Sequence, residues 1–327
     1  MNLLYPMKFE PVFKDKIWGG NKIKTDLGLD FSPLPNCGEV WALSGVNENT
    51  SVVSNGFLEG NELNELIEIY MGDIVGDAVY EKFGTEFPLL IKFIDANDYL
   101  SIQVHPDDEL AEKRKIGYGK SEMWYIIQAD ENAELISGFN CKTDKNSYLK
   151  HLENKNLKQI LNHEKVTKGD VFYIPAGRVH ALGPGLLLAE IQQTSDTTYR
   201  IYDWDRVDDK GNPRQLHIDE ALDAIDFTLH NDYKTHYEQK LNKTTHLIET
   251  PFFTTNILNF NQLIEKDYEE LDSFVIYTCV EGNCKLNYNS ESLDFKKGEV
   301  VLLPAECNKI QLKALNECKL LETYIVL

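Results

Sequence analysis

Lys168-Gly169-Asp170-Val171-Phe172-Tyr173-Ile174-Pro175-Ala176 returns 129 positions later as Lys297-Gly298-Glu299-Val300-Val301-Leu302-Leu303-Pro304-Ala305. Each copy is a Lys-Gly-acid turn, four apolar or aromatic residues and a Pro-Ala stop, the pattern of a short buried strand between two turns. Upstream, residues 129–135 return faintly as 280–286, at an offset of 151, so the first copy is longer by 22 residues. Helical spacing falls in that extra length, over Ser147-Tyr148-Leu149-Lys150-His151-Leu152 and Leu157-Lys158-Gln159-Ile160-Leu161. Two related β-units, the first carrying a helical insertion, account for both offsets.

Strand patterns continue outward from the repeat. Pro88-Leu89-Leu90-Ile91-Lys92-Phe93-Ile94 and Tyr99-Leu100-Ser101-Ile102-Gln103-Val104-His105 read as two neighbouring strands joined by the turn-like Ala96-Asn97-Asp98. Residues 123–127 and 252–327 are also strand-like. Helices are predicted over 61–70, where 63, 66, 67 and 70 are apolar, and over 218–225. A polar stretch follows near 230–245, and residues 202–213 read as a polar loop.

The 327 residues carry a formal charge of −20 and a pI near 4.8, which argues against general affinity for nucleic acid or anionic membrane. An anionic substrate must therefore be drawn by a local cluster of Lys and Arg. The start, Met1 to Pro6, has too short an apolar run for a signal peptide, and no run of about 18 apolar residues occurs. The six cysteines are scattered. Cys279 and Cys284, read as opposite faces of one strand, are expected to be free buried thiols of a reducing, cytoplasmic compartment.

Chemistry concentrates in a few segments. Gln103 and His105, at i and i+2, share one face of a predicted strand with Ser101, while Leu100, Ile102 and Val104 take the other. Gly169-x5-Pro175-x-Gly177-x2-His180 then frames a strand with two turns and aims His180 back across it. A strand polar on one side and apolar on the other suits a small barrel with a site in its mouth.

That second element matches the second motif of the cupin superfamily, whose usual His-x-His is here Gln103-Val104-His105. The whole pattern resembles the type I mannose-6-phosphate isomerase family in a short form. The resemblance runs from Lys16-Ile17-Trp18-Gly19-Gly20 and Gly38-Glu39-Val40-Trp41, through Ser101 to Asp108, Gly119-Lys120-Ser121-Glu122-Met123-Trp124 and Pro175 to His180, to Glu190 to Asp196 and Thr198-Tyr199-Arg200. It implies a mainly β fold of two cupin-like jelly-roll barrels with helical insertions near 61–83, 106–118 and 145–163. Residues 1–235 would be the catalytic domain and 236–327 a second barrel. It also implies that Gln103, His105, Glu122 and His180 bind one metal ion and that Arg200 is the active-site arginine. The repeat offsets put Lys309 opposite His180 and Ser273 opposite Glu122, so the second barrel lacks these ligands.

Two imidazoles, a carboxylate and an amide oxygen suit a catalytic Zn²⁺, with Mn²⁺, Fe²⁺ or Co²⁺ also compatible. Aldose–ketose interconversion of mannose 6-phosphate and fructose 6-phosphate passes through an enediol, whose charge a dication and the permanently charged Arg200 would stabilise. Lys120 and Glu190 are equal candidates for the proton-transfer base. Ser101 and Lys92 are candidate phosphate donors, and Trp18 a candidate sugar platform. The expected partner is a small sugar phosphate, with neither nucleic acid nor membrane, and the protein is expected to be a monomer or weak homodimer. Another metal-cupin enzyme, such as a dioxygenase or an isomerase of different specificity, and a non-catalytic sugar-phosphate binder are the alternatives.

Overall fold

Four antiparallel sheets stack as two sandwiches in series. The structure, a computed structural model, describes residues 4–207 and 210–327; residues 1–3 at the chain start and Asp208 and Asp209 of the expected polar loop lie outside that description. The first sandwich contains β1 (Val12–Lys14), β2 (Glu39–Ser44), β3 (Leu89–Ala96), β4 (Ile102–Val104), β5 (Glu122–Ala129) and β6 (Glu134–Phe139). It continues with β7 (Leu161–Lys165), β8 (Val171–Ile174), β9 (His180–Leu182), β10 (Leu186–Gln193), β11 (Tyr199–Tyr202) and β12 (Lys234–Thr235). A seven-stranded sheet in the order β1-β2-β3-β10-β5-β8-β12 faces a five-stranded sheet in the order β11-β4-β9-β6-β7.

The second sandwich is made of β13 (Lys243–Glu249), β14 (Thr254–Phe260), β15 (Leu263–Asp267), β16 (Val275–Glu281) and β17 (Asn283–Tyr288). It is completed by β18 (Glu291–Lys296), β19 (Val300–Leu303), β20 (Lys309–Ala314) and β21 (Cys318–Tyr324). The mainly β, two-barrel architecture expected from the repeat is present, and no helix among the described residues is long and apolar enough to cross a membrane.

The seven-stranded sheet is covered on both faces, which explains why every residue of β10 is buried. Leu186 and Leu188 point into the first barrel. Leu187, Ala189 and Ile191 point out, joining a core shared with Val275, Ile276 and Tyr277 of the second barrel and with Leu63, Leu66 and Ile67 of the helix Leu63–Tyr70. The outer face of the five-stranded sheet is capped by helices Lys145–Glu153 and Ile218–Ala224, which close over Ile102, Val104 and Ile136. Asp144 starts the first of these by accepting the Ser147 N–H at 2.8 Å. Truncating a side chain such as Ile191 or Ile136 would cost about 2–5 kcal/mol, because a doubly covered layer cannot collapse into the cavity.

Several expectations are corrected by tertiary pairing. Segments 88–94 and 99–105 are not neighbours: β3 and β4 lie in opposite sheets, so Lys92 and Ser101 line the barrel interior from different sides. β4 begins only at Ile102, with a register shift against β11, and Leu100 therefore joins the inner core rather than the outer face. Cys279 and Cys284 lie on different strands, β16 and β17, on either side of the Gly282 turn (φ +77°), and both are buried. The polar stretch 230–245 supplies β12, which closes the edge of β8.

Candidate active site

Gln103 pairs directly with Arg200 on one side and His180 on the other, so three polar side chains form a row across β11, β4 and β9. Adjacent strands lie about 4.8 Å apart, which brings these side chains together on the inner face. The opposite sheet supplies a second row, Trp41, Lys92, Glu190 and Trp124, again in register, with Glu122 beside Gln192 one step along. His105 follows β4, and its carbonyl accepts the Gly177 N–H at 2.9 Å. Gly177 has φ +85°, a conformation other residues adopt only with strain, and this turn delivers His180 to the start of β9.

Both imidazoles are oriented by backbone carbonyls. His105 Nδ1 lies 2.9 Å from Thr197 O and His180 Nδ1 lies 2.8 Å from Arg178 O. Donation through Nδ1–H leaves each Nε2 with its lone pair turned to Glu122. His180 Nε2 is 3.4 Å from Glu122 Oε1 and His105 Nε2 is 3.5 Å from Oε2. A tetrahedral ion with ligands at 2.0–2.2 Å requires ligand atoms about 3.4 Å apart, so the cluster has the size of a zinc-type site. Gln103 Nε2 lies 3.1 Å from His180 Nε2, and rotating the amide would turn its oxygen to the same point.

The electrostatics agree with the geometry. Glu122 is fully buried and neither of its oxygens has a hydrogen-bond partner, although Lys120 Nζ stands 3.0 Å from Oε2. Burial, followed by the charge of Glu190, pushes the Glu122 carboxyl up to about 7 despite that ammonium. Burial and Lys120 hold His105 well below its usual range. His180 is pushed down to about 4, chiefly by burial. Two neutral imidazoles and a buried carboxylate at this spacing form a donor set suited to a divalent cation. His105, Glu122 and His180 can hold a metal ion.

A cavity of about 360 Å³ opens on this cluster. It is lined by Trp18, Lys92, Ser101, Gln103, Lys120, His180, Glu190 and Arg200, so residues read from scattered segments meet on one wall or another. Lys120 Nζ is also 3.2 Å from His105 Nε2. Lys92 is not the solitary cation its sequence context suggested: it donates to Glu190 at 3.1 Å and Gln192 at 2.7 Å. Trp124 Nε1 donates to the other oxygen of Glu190 at 2.8 Å. Burial opposes the Glu190 charge, but Lys92 and Lys120 outweigh it and keep this carboxyl below its usual range. Arg200 donates through Nη1 to Gln215 O at 2.8 Å, while its buried Nε has no partner.

Glu39 and Arg214 also line the cavity and were not anticipated. Glu39 accepts from Trp41 Nε1 at 2.9 Å, and its two-residue spacing from Trp41 was the available signal. Arg214 lies in a loop and carries no periodicity.

Among the described residues the second barrel has no equivalent cluster. Phe172 and its repeat partner Val301 face Trp124 and Tyr277, which aligns Glu122 with Val275 rather than Ser273. The offset misses by two because the β5–β6 connection is longer than the β16–β17 turn. Leu182 and Leu312 face the repeat-related Leu135 and Leu286, which aligns His180 with Ile310 and Gln103 with Lys266. One extra residue after Pro304 moves Lys309 out of the position expected for it.

Known proteins resemble this chain along most of its length. Residues 7–136 match the catalytic-domain model of type I phosphomannose isomerase, and 242–325 match the mannose-6-phosphate isomerase cupin-domain model. The chain is 37% identical over 319 residues to mannose-6-phosphate isomerase ManA of Bacillus subtilis, covering 96% of this chain and 97% of that protein. It is 35% identical over 300 residues to the mannose-6-phosphate isomerase of Streptococcus mutans, covering 91% and 92%. A crystal structure of the Bacillus subtilis enzyme superposes with a TM-score of 0.88 at 34% identity, covering 98% of this chain and all of that one. Phosphomannose isomerase structures from Salmonella typhimurium, at 18% identity and a TM-score near 0.78, share the fold. With sequence likeness running through both barrels, the chain belongs to the type I mannose-6-phosphate isomerase family.

Proposed function

We propose that this cavity interconverts mannose 6-phosphate and fructose 6-phosphate, with Gln103, His105, Glu122 and His180 holding one Zn²⁺. The observation that carries the reading is Glu122, buried between two neutral histidines at metal-ligand spacing. A bound dication would act there as a Lewis acid on the sugar carbonyl oxygen, supplying several kcal/mol of charge stabilisation.

The chain's own residues do the rest. Lys120, buried beside His105 and on the cavity wall, moves the proton between C1 and C2. Glu190 is the weaker candidate for that step, because both its oxygens are occupied by Lys92 and Trp124. It serves instead to hold Lys92 in place. Arg200, in register with Gln103, stabilises the oxyanion of the enediolate with a charge that does not titrate. Ser101 and Lys92 contact the sugar's oxygens, and Trp18 forms an apolar wall. Residues 1–235 act as the catalytic domain and 236–327 as its packing partner. We place the protein in the cytoplasm, as a monomer or weak homodimer, in keeping with six free cysteines.

The test is solvent exchange at C2. Mannose 6-phosphate in deuterated water should acquire deuterium at C2 with the metal-loaded protein, and a chelator should stop the exchange. Undiminished exchange after complete chelation would contradict the reading.

A further inference from the structure

We propose that Arg214, positioned by Asp203, binds the phosphate group of the sugar phosphate, an inference that rests on the isomerase reading of the cavity. Four cationic side chains other than Lys120 line this cavity, and they form two groups. Lys92 is paired with Glu190, and Lys16 lies 3.3 Å from Glu39. A phosphate dianion at that end would sit beside two carboxylates. The other group is Arg200 and Arg214; Asp196 also lines the cavity, and Asp203, the carboxylate that holds Arg214, is shared with Arg206.

The backbone explains how Arg214 reaches that wall. Arg200 N–H donates to His217 Nδ1 at 3.1 Å, and His217 N–H donates back to Arg200 O at 2.8 Å. Arg200 thus spends its own peptide groups on the edge of β11 that β4 does not occupy. With Gln215 O bound to Arg200 Nη1, residues 214–217 are pinned along that edge, on the side of Arg200 away from Gln103. Arg200 then stands next to the metal ligands, and Arg214 adjoins it farther out, where the far end of an extended sugar phosphate must lie.

Asp203 sets the orientation of Arg214. It is buried, and its two oxygens take Arg214 Nε at 2.7 Å and Nη2 at 2.6 Å. Arg206 Nη2 donates to the same carboxylate at 2.5 Å while its Nη1 holds Tyr99 O at 2.7 Å. A bidentate fork fixes the guanidinium plane and leaves part of the five-donor set for a ligand. Such a preset donor matters in a chain of charge −20, whose overall field repels a dianion.

The experiment compares wild type, R214Q, R214K and D203N. Steady-state kinetics with mannose 6-phosphate is paired with calorimetric titration of inorganic phosphate into the metal-free proteins. R214Q should raise KM by about 10- to 100-fold, a larger change than in kcat, and weaken phosphate binding by a similar factor. D203N should shift both in the same direction by less, and R214K should recover part of the loss. Should R214Q fail to fold, R214K decides, with a KM at least several-fold above wild type expected. Wild-type turnover with KM and phosphate binding unmoved in the folded Arg214 variants would overturn the assignment of Arg214 alone. Absence of wild-type turnover would instead contradict the isomerase reading.

Discussion

Glu322 of the second barrel stands at the register position that Glu190 holds in the first. Glu190 is flanked across its sheet by Lys92 and Trp124, and Glu322 by Asn256 and Tyr277. Each carboxylate takes hydrogen bonds from both neighbours. Tyr268 also bonds Glu322, and Lys266, the counterpart of Gln103, places its ammonium 2.6 Å from Oε1. Both carboxylates are thus met by a lysine, Lys92 from the strand next to Glu190 and Lys266 from the sheet facing Glu322.

Removing Lys266 should therefore destabilise without touching catalysis. K266M leaves Glu322 buried without its cation and should cost about 3 kcal/mol, with K266M/E322Q recovering much of the loss. Urea denaturation measures both, and metal content and kcat should stay at wild-type values. A K266M protein as stable as wild type would show that the ion pair carries nothing.

The proton-transfer assignment separates Lys120 from Glu190. K120A should keep its metal and lose about 10²- to 10⁴-fold in kcat together with C2 exchange. E190Q should lose less, since its role is to hold Lys92. If E190Q abolishes exchange while K120A retains it, the two roles are reversed.

How far the sequence alone led depends on distance along the chain. Gln103 and His105 were readable because two residues on one strand face obey a local period, and His180 because Gly177 and Pro175 mark its turn. The repeat foretold two barrels. Lys92 looked solitary because its partner Glu190 is 98 positions away, and only the β3–β10 register joins them. Leu100 was put on the wrong face because an alternation rule presumes a strand, and β4 starts two residues later. Arg214 was silent because a loop has no period, and its place comes from hydrogen bonds to β11 and Asp203.

Asp95 gives a pH dependence whose sign follows from burial. Its Oδ2 accepts the Lys22 N–H at 2.6 Å, but Oδ1 has no partner, and burial pushes the carboxyl up to about 6 from 3.8. Between these values the folded chain holds a proton that the unfolded chain has released. The stabilising contribution is full below 3.8 and is lost as pH rises through about 6. The shift is worth about 2–3 kcal/mol. D95N should thus match wild type near pH 3.5 and exceed its stability by roughly that amount at pH 7. Urea denaturation across this range checks it; parallel curves for the two proteins would contradict the assignment.

Metal stoichiometry is the most direct measurement of the central claim. Elemental analysis should find one divalent ion per chain in wild type and almost none in E122A or H105A/H180A. Turnover of mannose 6-phosphate should fall in proportion to the metal lost. Wild-type protein stripped of metal and still isomerising at full rate, or a triple variant at His105, Glu122 and His180 that retains its ion, would contradict the account.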